Sequence, residues 1–438
     1  MNFRMIGQVV GRVLCIEAAL MLLPMVAALA YGESPAPFLI TIAVTGGIGL
    51  VMWRVRAKSG GITARDGFLI VGLSWIAMSL FGALLFVLTG DIPNYIDALF
   101  ETISGLTTTG ASVVTSPESM TRGGMFWRLF THWIGGMGIL VFVLAVLPMS
   151  GNRSMHIMRA EVPGPTVGKL VPRIRKTASI LYLLYIALTL VETVLLIAGG
   201  MSFYDALLHS FATAGTGGLS TRALSIGYYN SAYIDIVVGV FMILFGANFS
   251  LYYLILLGNI RTALRNEELR WFLGIIAFAV LTIAVDIRNL YGGVGHALRY
   301  SFFQVTSIIS TTGFATADFN LWPEYSKFLL VLLMFVGGCA GSTAGGLKVS
   351  RVMLLFKSCT IEVKMLRPRC VENVRLDGKP VDGQTVYNAL TYFTFYIIIL
   401  LIAGLIVSLD GLDFTTNFTA ALSCLSNVGP GLSLVGPT

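Results

Sequence analysis

Four short tracts carry the residue types best suited to holding an ion. Thr108-Thr109-Gly110, Thr216-Gly217-Gly218, Thr311-Thr312-Gly313 and Asn427-Val428-Gly429 share the form Thr/Asn-x-Gly. Their last glycines recur at intervals of 108, 95 and 116 residues. Glycine has no Cβ and enters positive φ freely, so its carbonyl can be turned inward. Carbonyls from four such turns around one axis would replace the hydration shell of a monovalent cation. The expected chemistry is coordination of a monovalent cation by backbone oxygen.

The elements that must position these turns are unusual. Each turn closes a half-apolar stretch, at 95–112, 203–220, 298–316 and 414–431. These stretches are too short to cross a bilayer and too apolar to be free loops. The first two align without a gap, Asp97-Ala98-Leu99 and Asp205-Ala206-Leu207 both beginning thirteen residues before the glycine. Each reads as a short helix entering from the outer side, with its partly negative C-terminus facing the turn, which favours a cation. Non-helical backbone at membrane depth survives only where protein covers it or where it lines a watery cavity. Close-packed helix caps are the alternative for any one stretch. Four stretches in register argue for a shared path.

Composition agrees. Of 438 residues, 56% are hydrophobic and 12% charged, and mean hydropathy is +0.82. This excludes an ordinary soluble enzyme, a disordered chain and a nucleic-acid-binding domain. Nine spans are predicted, at 9–31, 37–53, 68–89, 124–148, 178–199, 233–257, 271–287, 328–347 and 385–409. With the N-terminus inside, the inner segments hold 23 of the 29 Lys and Arg residues, which fixes the orientation. Of the 22 acids, 12 fall outside, among them Glu101, Asp205 and Asp413, and are expected to be solvated. Arg4 and Arg12 precede a first apolar run with no clean cleavage site, so that run is read as a retained span. Five scattered cysteines give neither a disulfide framework nor a zinc site. The four histidines form no HxxxH or HxxE pair.

The fold expected is an all-α polytopic membrane protein with a pseudo-fourfold pore. A two-helix hairpin (1–66) precedes pore repeats at 67–150, 151–260, 261–358 and 359–438. Because two spans separate successive turns, the repeats share one orientation about an axis along the membrane normal. Span 328–347 should break near Gly337 and Gly338, since five glycines fall between 337 and 346 and each is a poor helix former. A small-residue helix contact is the alternative there.

The four turns, Trp133-Ile134-Gly135-Gly136-Met137-Gly138 and the tract from Gly337 to Lys348 together resemble the Trk/Ktr/HKT superfamily. The likeness is closest to the bacterial Trk-type potassium-uptake membrane subunit. It implies potassium uptake across the cytoplasmic membrane through the twelve turn residues. It also implies an intramembrane gate at Gly337, Gly338, Gly341, Ser342, Thr343, Gly345, Gly346 and Lys348. A homodimer and a cytosolic nucleotide-binding regulatory partner follow from the same likeness. The basic inner segments suit such docking, and lipid headgroups equally. The resemblance implies no organic cofactor. Family members carry a membrane helix after the fourth turn; here nine residues follow Gly429, so the fourth repeat is expected to be incomplete. A non-conducting regulatory or truncated subunit is the alternative this raises.

Other residues need weighing. Glu17 and Glu192 lie inside spans. Glu17 has Arg12 as its possible partner, and Glu192 suits a place behind a pore helix. Arg222 follows the second turn and is expected to snorkel or to tune cation access. Ser342 could be cast as an intramembrane protease nucleophile, but no histidine lies in the later spans to serve as its base.

Overall fold

The computed structural model describes residues 3–55, 64–136, 138, 174–366 and 373–437. The inner half of expected span 124–148 and most of the inner segment that follows it lie outside these residues, as does His156. The chain divides into two compact units. One comprises Met1–Pro163 with Lys169–Ser225, the other Gly164–Gly168 with Ile226–Thr438.

In the first unit, Phe3–Leu20 and Leu22–Ala30 run on as one apolar helical stretch, and Ala36–Arg54 folds back against it. Gly11 and Gly49 let the two backbones meet: a Cβ on Gly11 would lie 2.7 Å from the Gly49 carbonyl oxygen. Ala64–Thr89 leads into a short helix, Tyr95–Leu106, started by Asn94, whose side chain accepts the Ile96 N–H at 2.9 Å. Arg122–Gly136 returns. The pattern repeats with Ile174–Ala198 and the short helix Phe203–Gly215, whose first turn is capped by Ser202.

In the second unit, Ala232–Gly246 is followed by Glu267–Ile287, the short helix Val294–Ile309 and Glu324–Val336. Then come Val349–Met365, Gly383–Val407 and the short helix Phe414–Ser426. Asp413 caps the last of these, accepting the Thr416 N–H at 3.0 Å. The Thr416 hydroxyl and backbone N–H hold its carboxyl below the ordinary value. The core of this unit gathers Phe272, Ile283, Val305, Leu330, Met334 and Leu422 between these helices. Outward residues such as Leu401, Leu405 and Ile406 on Gly383–Val407 stay exposed and apolar, as a lipid-facing helix requires.

Two expected spans are not continuous. Residues 233–257 form Ala232–Gly246 and Phe249–Leu256, bent by 91°. The cause is Asn248, whose side chain accepts the Ser250 N–H at 2.8 Å and starts a new helix. Span 328–347 stops at Val336, where Gly337 takes φ +71°. Its 13 helical residues rise about 20 Å, short of the hydrocarbon thickness. The break expected at Gly337 and Gly338 is present.

Candidate functional site

All four short helices end in the same way. Within two residues of each helix end comes a residue of positive φ: Thr216 at 52° and Asn427 at 56° directly after their helices, Thr108 at 59° and Thr311 at 57° one residue later, after Thr107 and Ser310. Two positions on, Gly110, Gly218, Gly313 and Gly429 are again positive, at 79°, 73°, 84° and 98°. The middle residue closes a six-to-one bond: Thr109 N–H to Ser104 O at 2.8 Å, and Gly217 to Ala212, Thr312 to Ser307 and Val428 to Ser423, each at 2.9 Å. The left-handed residue adds a bond to the carbonyl three before it in each case. This is a Schellman cap, extended by a glycine that keeps the chain turned. Sequence reasoning assigned the special conformation to the glycines alone. The structure adds the residue two before each, three of them threonines, for which a left-handed backbone costs about 1–2 kcal/mol. Such strain persists only where the surroundings over-determine it.

Those surroundings differ from turn to turn. At the first, Glu101 and Arg128 are buried and paired, Nε to Oε1 at 2.6 Å. Arg128 also donates to Ser112 Oγ at 2.8 Å and to the Ser220 carbonyl at 3.1 Å. One guanidinium therefore ties the segments that follow the first and second turns. Glu101 in turn accepts the Ser112 hydroxyl and the Val113 N–H, each at about 3 Å. Glu101, expected to be solvated, is instead part of the frame behind the turn. So is Asp205, which accepts the Thr221 hydroxyl at 2.8 Å. Arg222 does not snorkel; its Nη2 lies 3.5 Å from Asp205 Oδ2. Counting back nine residues from each glycine gives Glu101, His209, Gln304 and Ala420. His209 bonds Ser220 Oγ at 2.9 Å and Gln304 bonds the Ala317 carbonyl at 3.3 Å, so the first three carry related bonds. The signal that was available is Arg128 itself, a cation inside an expected span.

The glycines of 133–138 make room for this frame. A Cβ on Gly135 would sit 2.0 Å from the Leu106 carbonyl oxygen, and one on Gly136 would sit 2.5 Å from Gly215 Cα. The helix thus wedges against the ends of both short helices. A Cβ on Gly217 would lie 1.3 Å from His132 Nδ1. His132 is fully buried, and neither ring nitrogen has a hydrogen-bond partner among the described residues. Glycine stands at the middle of the second turn because this imidazole fills the space. Glu192 lies against Thr213 of the second short helix. Arg12 stacks over Trp53 at 5.8 Å, and Glu17 is buried against Gly82 with no hydrogen-bond partner among the described residues, Arg12 included.

At the third turn the brace comes from residues 337–348. The Gly345 N–H donates to Thr311 Oγ1 at 2.6 Å. A Cβ on Gly345 would meet the Ser426 carbonyl oxygen at 2.4 Å. The segment is also fixed to the broken helix: Cys339 N–H to Gly246 O at 2.8 Å, Phe249 N–H to Gly341 O at 3.1 Å, and Thr343 Oγ1 to Phe245 O at 3.2 Å. The carbonyl freed by the 91° bend is therefore used. Gly337 and Gly346 cross in contact: a Cβ on Gly346 would lie 2.9 Å from Gly337 Cα. Gly338 is equally closed in, by the Gly246 carbonyl at 2.8 Å. Lys348 is buried, and its Nζ donates to the Ala344 carbonyl inside the segment. The Ser342 hydroxyl donates to Cys339 O at 2.6 Å. At the third and fourth turns themselves, a Cβ on Gly313 would sit 2.0 Å from the Val428 carbonyl oxygen.

Residues 36–435 match the sequence profile of the family described as TrkH, cation transport protein. The chain is 36% identical to the Trk system potassium uptake protein TrkH of Escherichia coli K12, over 99% of this chain and 92% of that one. It is 34% identical to TrkG of the same organism, over 98% and 90%. The crystal structure of the potassium transporter TrkH from Vibrio parahaemolyticus superimposes with a TM-score of 0.89, at 34% identity, over 99% of this chain and 92% of that one. These are transport proteins and not enzymes, and they share the multi-pass helical architecture described above. With four repeated turns and a full-length match, this chain belongs to the TrkH family of cation transport proteins.

Proposed function

We propose that this chain takes up potassium across the bacterial cytoplasmic membrane through a filter supplied by its four turns, with residues 337–348 as the gate. The observation that carries the reading is the fourfold recurrence of one backbone conformation at Thr108, Thr216, Thr311 and Asn427 and at the following glycines. Each turn presents carbonyls at the partly negative end of a short helix, which suits a dehydrated monovalent cation. Potassium is the cargo, held by the backbone of Thr108 to Gly110, Thr216 to Gly218, Thr311 to Gly313 and Asn427 to Gly429. The inner segments, rich in Lys and Arg, put the N-terminus inside. The Trk-system names of the relatives support assembly with other subunits. In this reading the partners are a second copy of the chain and a cytosolic nucleotide-binding subunit on the basic inner face, with lipid headgroups beside it.

Gly313→Ser tests the filter. Its φ of 84° is unfavourable to any L side chain, and the new Cβ points at the Val428 carbonyl. In liposomes the variant should carry more sodium relative to potassium than the unaltered protein, by about tenfold, a difference of about 1.4 kcal/mol. An unchanged ratio across serine substitutions at all four glycines would sink the filter assignment. Absence of any cation flux from the unaltered chain would favour a non-conducting role.

A further inference from the structure

Glu268 stands at the start of Glu267–Ile287, far in sequence from the gate, and bonds both the gate and the helix that follows it. Its Oε1 accepts the Ala340 N–H at 2.6 Å and the Ser350 N–H at 3.2 Å. Ala340 is inside the 337–348 segment. Ser350 lies in the first turn of Val349–Met365, whose capping residue is Lys348, a side chain with no acceptor to offer. A carboxylate from another helix therefore does the work of the missing cap, at the positive end of the helix dipole. The preceding residue, Glu267, faces the other way. Its Oε2 accepts the Asp377 N–H at 3.1 Å, and its own N–H donates to Asp377 Oδ1 at 2.7 Å. Asp377 and Gly378, at φ 49° and 75°, form the two-residue loop of a hairpin that pairs Arg375 with Pro380. Lys357 binds both Glu267 and the Arg375 carbonyl.

We propose that Glu268 is the positioning residue that clamps the gate closed, and that the 375–380 hairpin is the handle that releases it through Asp377 and Glu267. The inference rests on the gate reading above. The two glutamates are consecutive on one helix end, and Asn266, which caps it, donates its Nδ2 to Asp377 Oδ2 at 3.1 Å, so a shift of the hairpin that withdraws Asp377 displaces that cap and moves Glu268 with it. When Oε1 leaves Ala340, the segment loses a charge-assisted bond between its anchors on the broken helix and its bond to Thr311. The hairpin is exposed, so a force applied from the inner face reaches it first.

The test uses the full chain in which Cys339 is the sole remaining cysteine. Cys339 lies within the segment, completely buried, and reports its release without reference to flux. Glu268→Ala should raise both the labelling rate of Cys339 by a small thiol reagent and the basal potassium flux by about tenfold, with the potassium-to-sodium ratio unchanged. Glu268→Gln keeps an acceptor and should fall between. Asp377→Ala should raise both readouts less, and adding it to Glu268→Ala should change nothing further, because both act on one path. A folded Glu268→Ala protein with Cys339 still protected overturns the proposal. Should that variant not fold, Asp377→Ala and Glu268→Gln decide the matter, and unaltered labelling in both overturns it. Faster labelling without increased flux would leave the clamp standing and refute the gate reading beneath it. Flux that falls in proportion to folded protein would reduce Glu268 to a structural cap.

Discussion

The first and third turns share one backbone conformation but are held by opposite means. Behind the first lies a buried charge pair, Glu101 with Arg128, whose bonds run sideways to Ser112 and to the Ser220 carbonyl of the second turn's exit. Both turns have a serine on the carbonyl seven residues on, Ser104 on Ala111 and Ser307 on Phe314, but the groups peculiar to the third are neutral: Gln304 on the Ala317 carbonyl, and Gly345 on Thr311. A charge pair in a dry interior is costly to disturb and tolerates little displacement. Neutral bonds to a glycine-rich segment can be exchanged at small cost. The first two turns are thus a fixed frame, while the third is joined to the segment proposed as the gate. Repetition of the turn gives equivalent backbone geometry, and the groups behind it differ from turn to turn.

The largest effect should come from breaking the fixed frame. Arg128→Met leaves Glu101 buried and uncompensated, which costs about 3–5 kcal/mol. The yield of folded, monodisperse protein should collapse. Removing both charges, with Arg128→Met and Glu101→Leu together, should restore much of the yield, since buried pairs are often replaceable by apolar residues. Equal loss in the single and double variants would mean that the bonds to Ser112 and Ser220, and not the charge balance, hold the frame. The matching change behind the third turn, Gln304→Leu, should cost far less.

The limits of the sequence reading follow the same division. The four short helices and their turns were legible at 95–112, 203–220, 298–316 and 414–431 because a glycine and a small polar residue at fixed spacing are local signals. The break at Gly337 was legible for the same reason. Not legible was the bend at 246–248: Asn248 is one polar residue in a long apolar run, and hydropathy averages it away. Nor were the left-handed threonines, since Thr is a poor left-handed residue and only its surroundings hold it there. Glu101 and Arg128 lie 27 residues apart, on different helices, and no periodicity joins them. Glu268 and the gate are 72 residues apart at Ala340. What the sequence hid was tertiary, and most of it lies behind the turns.

An intermediate effect is expected at the second turn. Gly217 has no positive φ to protect, so alanine there meets only a steric obstacle, the His132 ring. Gly217→Ala should lower Tm in detergent by an amount equivalent to about 1–3 kcal/mol, the usual range for an overpacked interior. His132→Ala should relieve most of it in the double variant, although alone it leaves a cavity. If the pair shows no such coupling, the glycine is there for some other reason, and the second turn is less tightly framed than the first.

The smallest effect separates the two kinds of bracing most directly. Thr311 and Thr216 occupy the same place in their turns, yet Thr311 Oγ1 accepts from the gate while the Thr216 hydroxyl donates to its neighbour, the Gly215 carbonyl, at 2.7 Å. Valine has the same shape and no hydroxyl. Thr311→Val removes the acceptor of the Gly345 N–H, a loss of about 1 kcal/mol that falls on the gate segment. Cys339 should then label several times faster while Tm scarcely changes. Thr216→Val removes a bond within one turn, so Cys339 should label at the rate of the unaltered protein. Acceleration in both variants would show that any loosening of a turn reaches the gate, and the contrast between frame and response would not hold. Acceleration in Thr311→Val alone places the coupling at a single hydrogen bond between the third turn and Gly345.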